Sequence, residues 1–216
     1  MRNAIVLKKY KLVIFCIPKV ASTSIKATIL NSLGVKYKEK NIHRLHRYKE
    51  LHMSEIYTVY KKYNDFFKAA IVRNPFDRLV SCYEDKIKNR YYFKREKFYE
   101  IGFKHEMTFN EFIVQVCKNP FASNHFGFQL PMISFGNEEL ADYVGKFESL
   151  NETWETIKKY SAEKSCLKIV DLKHLNQSKT KKHYSKYYNG KTKRMVGNTF
   201  KMDLKNFGYE YKNQPR

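Results

Sequence analysis

The stretch Leu12-Val13-Ile14-Phe15-Cys16-Ile17-Pro18-Lys19-Val20-Ala21-Ser22-Thr23-Ser24-Ile25 decides the fold. Its first six residues form a continuous apolar run, the pattern of a central parallel strand buried on both faces. Pro18 and Lys19 end the run. Beyond Ser22, the residues Ile25, Ile29 and Leu33 recur at helical spacing, and Gly34 supplies a stop. A strand that runs straight into a helix aims free backbone N–H groups and the positive end of the helix dipole at one spot, which suits an anionic group.

The stretch Val72-Arg73-Asn74-Pro75-Phe76-Asp77-Arg78-Leu79-Val80-Ser81 repeats the arrangement. Phe67 to Val72 reads as a second core strand, and Asn74-Pro75 opens a helix by the preferences for asparagine at the N-cap and proline at N1. On that helix Phe76, Val80, Tyr83 and Ile87 form an apolar face, with Asp77, Ser81 and Asp85 off it. Two such junctions in one chain point to a ligand with two separated phosphates.

The remaining elements follow from the same signals. A helix is expected over Met53 to Tyr63 with Ser54 as N-cap, after a His- and Arg-rich loop from Asn41 to Leu51. Thr108-Phe109-Asn110-Glu111 is a capping box that opens a helix through Cys117. Asn119 to Asp142 is irregular, a lid or insertion. Tyr143 to Phe147 reads as a strand, Ser149-Leu150-Asn151-Glu152 as the capping box of a helix containing Trp154, and Lys168 to Leu172 as a last strand. A basic, Tyr-rich loop from Asn176 to Gly190 precedes a final helix from Lys191 to Leu204, with Val196, Phe200 and Leu204 inward. Alternating strands and helices imply a three-layer α/β fold with a mainly parallel sheet, in a single domain spanning residues 1–216. Ligands of such sheets sit at the carboxyl ends of the strands, where both junctions lie.

Composition bounds the partners. The 216 residues hold 42 Lys+Arg against 21 Asp+Glu, a formal net charge of +21. That favours an anionic partner: nucleic acid, an acidic glycan, an anionic membrane or a nucleotide. The basic residues run along the whole chain, so a generally lysine-rich surface accounts for them equally well. Hydrophobic residues at 43% argue for a folded globule. Cys16, Cys82, Cys117 and Cys166 are widely spaced, with no CxxC pair or zinc-like Cys/His cluster, so a reducing, cytoplasmic compartment is expected and no metal. Lys8, Lys9 and Lys11 before Leu12 superficially resemble a signal peptide. The apolar run is too short for one, and far short of the roughly 18–20 residues of a membrane span.

At the first junction Lys19 is a point cation, and Ser22, Thr23 and Ser24 supply hydroxyls and amides. The turn has no glycine and is not a Walker A loop. Read by spacing alone, an ordinary Ser/Thr N-cap with a solvated lysine fits as well. At the second, Arg73 at a strand end and Ser81 eight residues later can converge on one phosphate. Alternatively Arg73 pairs with a nearby Asp and Ser81 is a surface residue.

Together the two segments resemble sulfotransferases that use 3′-phosphoadenosine-5′-phosphosulfate (PAPS). Pro18 to Ile25 resembles their 5′-phosphosulfate loop, and Val72 to Ser81 their 3′-phosphate motif. The likeness is nearest to the carbohydrate branch, with bacterial members and the heparan sulfate 2-O-sulfotransferase group. It extends through Lys146-Phe147-Glu148-Ser149-Leu150, Thr108 to Phe112 and the tail from His183-Tyr184 to Asn206-Phe207-Gly208-Tyr209, about Leu12 to Tyr211 in all. Ala21 stands where many cytosolic sulfotransferases carry glycine.

The resemblance implies a P-loop-like phosphate site. Lys19 would contact the 5′-phosphosulfate and stabilise the leaving group; Ala21, Ser22, Thr23 and Ser24 would hold the 5′-phosphate, and Arg73 and Ser81 the 3′-phosphate. It also implies metal-independent, in-line transfer of a sulfuryl group to a hydroxyl of a glycan acceptor; the net charge points to an acidic oligosaccharide, and a soluble protein that binds no nucleic acid is expected. An alcohol acceptor needs a base. His52 is the first candidate, since it precedes the expected helix; His46 is the runner-up, and His43 lies nearby. His125 would shape the acceptor cleft, and Lys179, Lys181, Lys182 and His183 would close over the nucleotide or form a solvated charge run. Two other functions compete: a P-loop-type nucleotide kinase, against which stands the missing Walker glycine pattern, and a non-catalytic polyanion-binding module.

Overall fold

The computed structural model describes residues 2–38, 42, 52–165, 167–173, 175 and 182–213. They form two compact units, one of residues 1–72 with 129–177, the other of residues 73–128 with 178–216.

The first unit is built on a five-stranded sheet whose strands lie in the order β3 (His52–Glu55), β1 (Arg2–Leu7), β2 (Leu12–Phe15), β4 (Phe67–Val72), β7 (Tyr143–Lys146). β1 (Arg2–Leu7) precedes the run expected to be the first strand of the core, which is β2 (Leu12–Phe15). The two form an antiparallel pair in which Ala4 faces Phe15 and Leu7 faces Leu12. Their turn contains no glycine or asparagine. Lys11 closes it in the left-handed region at φ 46°, which is why the turn is invisible to turn-residue statistics. β4 (Phe67–Val72) lies parallel to β2, and β7 (Tyr143–Lys146) parallel to β4.

The expectation of a helix from Met53 needs correction. Residues His52–Glu55 are strand β3, antiparallel to β1, and the helix α2 starts only at Ile56 and runs to Lys62. Ser54 is therefore a buried strand residue; edge pairing overrides local helix propensity in so short a segment. Four strands share one direction and β1 opposes them, so the sheet is mixed.

β1, β2 and β4 are apolar on both faces, and Ile5, Ile14 and Ile71 are wholly buried. Lys68 enters β4 buried, and its ammonium donates to the carbonyls of Asn64 and Phe66 at 3.0 and 2.7 Å. α1 (Ser22–Ser32) follows β2, and Gly34 beyond its end takes φ +67°. A 3-10 turn, Phe147–Ser149, leads into α6 (Leu150–Ser165), which packs on β7 and β4. That approach depends on Gly145: a Cβ there would fall 2.1 Å from Thr153 Cγ2. The Thr153 hydroxyl instead accepts from the Lys146 N–H at 3.1 Å. Within the irregular stretch after Asn119, a short ladder pairs β5 (Ser134–Phe135) with β6 (Glu138–Glu139).

Residues 167–173 were expected to hold a last strand and do not. The segment is bound to α1 by hydroxyls. Ser24, Thr28 and Ser32, spaced by four, accept from the N–H groups of Leu175, Lys173 and Val170 at 3.0, 2.9 and 3.0 Å. Trp154 Nε1 donates to the Val170 carbonyl at 3.0 Å, so these backbone groups find partners without a sheet neighbour.

The second unit is helical, with an aromatic core. α3 (Pro75–Cys82) is followed by a π-type turn, Tyr83–Ile87, and by α4 (Arg90–Arg95), which Asn89 caps. α5 (Phe109–Lys118) has the reciprocal capping box of Thr108 and Glu111. The expected final helix is two: α7 (Gly190–Thr199) and α8 (Lys201–Asn206), which meet at Phe200. Phe76, Phe98, Phe112, Phe126 and Phe200 are almost wholly buried. Edge-to-face pairs such as Tyr83–Phe109, with centroids 5.3 Å apart at 80°, suit the ring quadrupoles.

Candidate functional site

In the first unit, β2 delivers the buried residues Cys16 and Ile17 to a turn over Pro18–Val20. Burial pushes the Cys16 thiol up to about 11, which makes it an inert core group. Lys19 and Ala21 both take left-handed backbone, at φ 68° and 48°. Neither is glycine, so each such residue costs about 1–2 kcal/mol. Strain of this kind collects at functional sites.

Ala21 is the N-cap of α1 and offers no side-chain acceptor. The first helical hydrogen bond runs from the Ile25 N–H to the Ala21 carbonyl at 3.0 Å. The amides of Ser22, Thr23 and Ser24 therefore open the helix without intrahelical partners. The ordinary Ser/Thr N-cap considered from spacing is not what forms here.

Ser22 and Thr23 are half-buried beside this turn. Ser24 differs. It is buried, and its hydroxyl donates to the Leu175 carbonyl at 3.2 Å while accepting the Leu175 N–H. Of the three, Ser24 contributes to the turn through its amide, with its hydroxyl committed elsewhere.

His52 is exposed at the start of β3. It pairs with Val6, and the register continues from Val6 to Val13 and from Val13 to Lys68. His52 thus lies toward the amino ends of β2 and β4, whereas the Lys19 turn follows their carboxyl ends. Strand geometry separates it from Cys16 by about 10 Å along the strands and about 10 Å across them. His52 and Lys19 are not brought together. Glu55, three residues on, is the β3 residue at the carboxyl end. His43 and His46 lie outside the described residues.

In the second unit, Asn74 accepts from the Phe76 N–H at 3.0 Å through Oδ1 and donates to the Glu210 carbonyl at 2.9 Å through Nδ2. Arg73 is buried to 9% exposure and its Nε donates to Asp77 Oδ2 at 2.8 Å. Pairing with an Asp, one of the two readings of Arg73, is thus realised at Nε. The pair orients the guanidinium fork. Ser81 is half-buried one helical turn beyond Asp77.

Arg78 is a different kind of group. It is wholly buried and donates to the carbonyls of Gly127 at 2.5 Å and Asn124 at 2.8 Å. Burial lowers its pKa to about 10, against the opposing field of Asp203. Arg78 is thus a staple for the loop at residues 124–127. The sequence gives no sign of this, since an arginine one residue past Asp77 reads as helix surface.

His125 stands beside Glu96, with Nε2 3.5 Å from the carboxylate. That contact, reinforced by Arg95, pulls the Glu96 carboxyl down to about 2. His125 packs near Phe98 at 6.2 Å. His183 Nδ1 accepts from the Ser185 N–H at 3.3 Å, and Lys182 is exposed. Lys179 and Lys181 lie outside the described residues.

Among the described residues no group of three His, Cys, Asp or Glu side chains forms a metal-binding cluster, and no helix is long and apolar enough to cross a membrane. No curated protein and no solved structure matches the chain. The family model described as the sulfotransferase family matches residues 2–210. That span takes in both strand–helix junctions, and the chain belongs to the sulfotransferase family, enzymes that transfer a sulfuryl group to an acceptor.

Proposed function

We propose that this sulfotransferase takes its sulfuryl group from PAPS and passes it to a hydroxyl of a carbohydrate. The observation that carries the reading is the Lys19 turn: two left-handed non-glycine residues open a helix whose first amides have no partner within it. Such a turn fits a 5′-phosphate without a Walker glycine pattern, which is the sense in which it is P-loop-like. A three-layer arrangement belongs to the same reading. So does the assignment of residues 1–216 to one functional domain, since the family match runs through both compact units.

In the proposed reaction the acceptor oxygen forms a bond to sulfur as the bond from sulfur to the 5′-phosphate oxygen breaks. The acceptor proton passes to a base, and the nucleotide 3′,5′-bisphosphate (PAP) leaves. Lys19 neutralises the charge that grows on the leaving oxygen, and the amides of Ala21 to Ser24 hold the 5′-phosphate. Arg73, oriented by Asp77, and Ser81 hold the 3′-phosphate that distinguishes this donor from ATP. A sulfuryl group carries less charge than a phosphoryl group, so fixed donors suffice without a metal ion. The base is assigned to a histidine of the segment from His43 to His52, with His52 the first candidate and His46 the next, to be decided by single substitutions.

The test combines binding and turnover. PAP is expected to raise the thermal midpoint more than AMP does, and Arg73→Ala to remove most of that difference. Labelled PAPS is expected to transfer to a glycan panel in the presence of EDTA, and His52→Ala to slow transfer by roughly 10²–10⁴-fold, with His46→Ala and His43→Ala as the companion variants. Equal stabilisation by PAP and AMP would sink the donor assignment. Activity lost on chelation and restored by magnesium would favour a kinase. If all three histidine variants stay active, Glu55 is the next base to test.

A further inference from the structure

The second unit contains a cleft of about 1360 Å³, walled by α4, the turns that follow it, α5 and the start of α7. Drug-sized ligands occupy roughly 300–1000 Å³, so this space suits an oligomer. None of the candidate donor-binding or base residues lines it.

Its chemistry is specific. Four cations line it: Arg90, Lys94, Lys104 and Lys191. Their neighbours on the chain are neutralised, Arg95 by Glu96 at 2.7 Å and Lys97 by Glu100 at 2.9 Å. Among the described residues none of the four cleft cations makes a salt bridge. Two carboxylates share the lining. Glu111 is occupied by the Thr108 N–H and hydroxyl at 2.7 and 2.8 Å, which hold its carboxyl below the usual range. Glu106 is exposed.

Neutral groups complete the wall. Asn189 donates to Asn110 Oδ1 at 3.2 Å while its own Oδ1 caps α7, and Gln115, which donates to the Ile101 carbonyl at 3.3 Å, also lines the cleft; the Asn110 amide nitrogen and the Gln115 carbonyl oxygen are the groups left for a ligand. Primary amides both donate and accept, as sugar hydroxyls do. Tyr99 is 55% exposed and offers a ring face to the apolar side of a pyranose. His105 also lines the cleft, its ring packed edge-on against Phe93 at 5.6 Å.

We propose that this cleft binds an acidic oligosaccharide and so docks the acceptor chain. The inference rests on the carbohydrate-acceptor reading and deepens it. The four cations, none in a salt bridge although Lys104 lies in the field of Glu111, favour anionic groups on the ligand, while the amides and Tyr99 match hydroxyls and ring faces between those groups. Glu106 can accept from hydroxyls between those groups.

The full chain is titrated by calorimetry with heparin hexasaccharide, unsulfated chondroitin hexasaccharide, maltohexaose and a single-stranded DNA 12-mer. Both acidic hexasaccharides are expected to bind at least about tenfold more tightly than maltohexaose. Lys104→Gln with Lys191→Gln should weaken them by about tenfold or more, the scale of losing charge-assisted hydrogen bonds. Tyr99→Ala should weaken them too, with Tyr99→Phe restoring binding. The control pair Lys88→Gln with Lys118→Gln removes the same charge outside the cleft and should change little.

Equal losses from both pairs would overturn the proposal in favour of bulk attraction by a +21 chain. So would DNA binding that matches the hexasaccharides and falls with the cleft variants. PAP binding is measured on every variant. Hexasaccharide binding through the cleft without a PAP preference would overturn the donor reading alone; a PAP preference without cleft-dependent hexasaccharide binding would overturn this proposal alone.

Discussion

The two strand–helix junctions reach a similar end by opposite means. At the first, the backbone is bent into left-handed geometry at Lys19 and Ala21 and the helix starts uncapped. At the second, Asn74 caps the helix, Pro75 presets its first turn, and Arg73 is held by Asp77. The first junction leaves its opening amides outside the helical ladder and carries strain at Lys19 and Ala21. The second satisfies its own backbone and offers a positioned side chain. One is built to grip through the main chain, the other through an arginine, so substitutions at the two should differ in kind as well as size.

Between the two junctions the largest expected effect is Lys19→Ala. Turnover should fall by about 10²–10³-fold, the range for removing one donor that meets charge developing in the transition state. The circular dichroism spectrum should stay the same. A variant within a factor of three of the parent would show that the first junction acts through its amides alone.

Arg78→Ala tests the second junction as a structural object. It strands the Gly127 and Asn124 carbonyls and opens a cavity, and should lower stability in urea by about 3–5 kcal/mol. A loss under about 1 kcal/mol would mean that the loop at 124–127 holds without its staple.

The smallest pair is the sharpest, because the signs oppose. Asn74→Ala removes a cap and should destabilise by about 1 kcal/mol. Ala21→Gly relieves about 1–2 kcal/mol of left-handed strain and loses about 0.5–1 kcal/mol to the freer unfolded chain. It should therefore stabilise slightly while weakening PAP binding, as the turn loses its fixed shape. If Ala21→Gly destabilises, the turn is not strained and the contrast between the junctions fails.

The junctions were legible because each gathers diagnostic residues in a few positions. Asn74-Pro75 and the Thr108–Glu111 box act locally, and local signals survive in a sequence. β1 was missed because its turn, Lys8 to Lys11, relies on a lysine in left-handed backbone. β3 was missed because His-Met-Ser-Glu has no period of its own and is a strand only by pairing with β1. His52 reads as a base from its place before an expected helix; the segment is strand β3 instead, and its register sets His52 toward the amino ends of β2 and β4. Asp77 beside Arg73 was readable from the spacing of four. The cleft in the second unit was not readable, because its cations come from three stretches of sequence that meet only in the fold.

The hydroxyl ladder on α1 has a metrical consequence. Four helical residues advance about 6 Å, and two extended residues about 6.6 Å. The two periods are nearly commensurate, so Ser24 and Thr28 match Leu175 and Lys173, two residues apart, almost without mismatch. The next step, to Val170, takes three residues and leaves slack of about 4 Å. The helix thus acts as a ruler with one tight division and one loose one. The tight division begins at Ser24, in the first turn, so the residue that sets the zero of the ruler also carries one of the amides left open at the Lys19 turn.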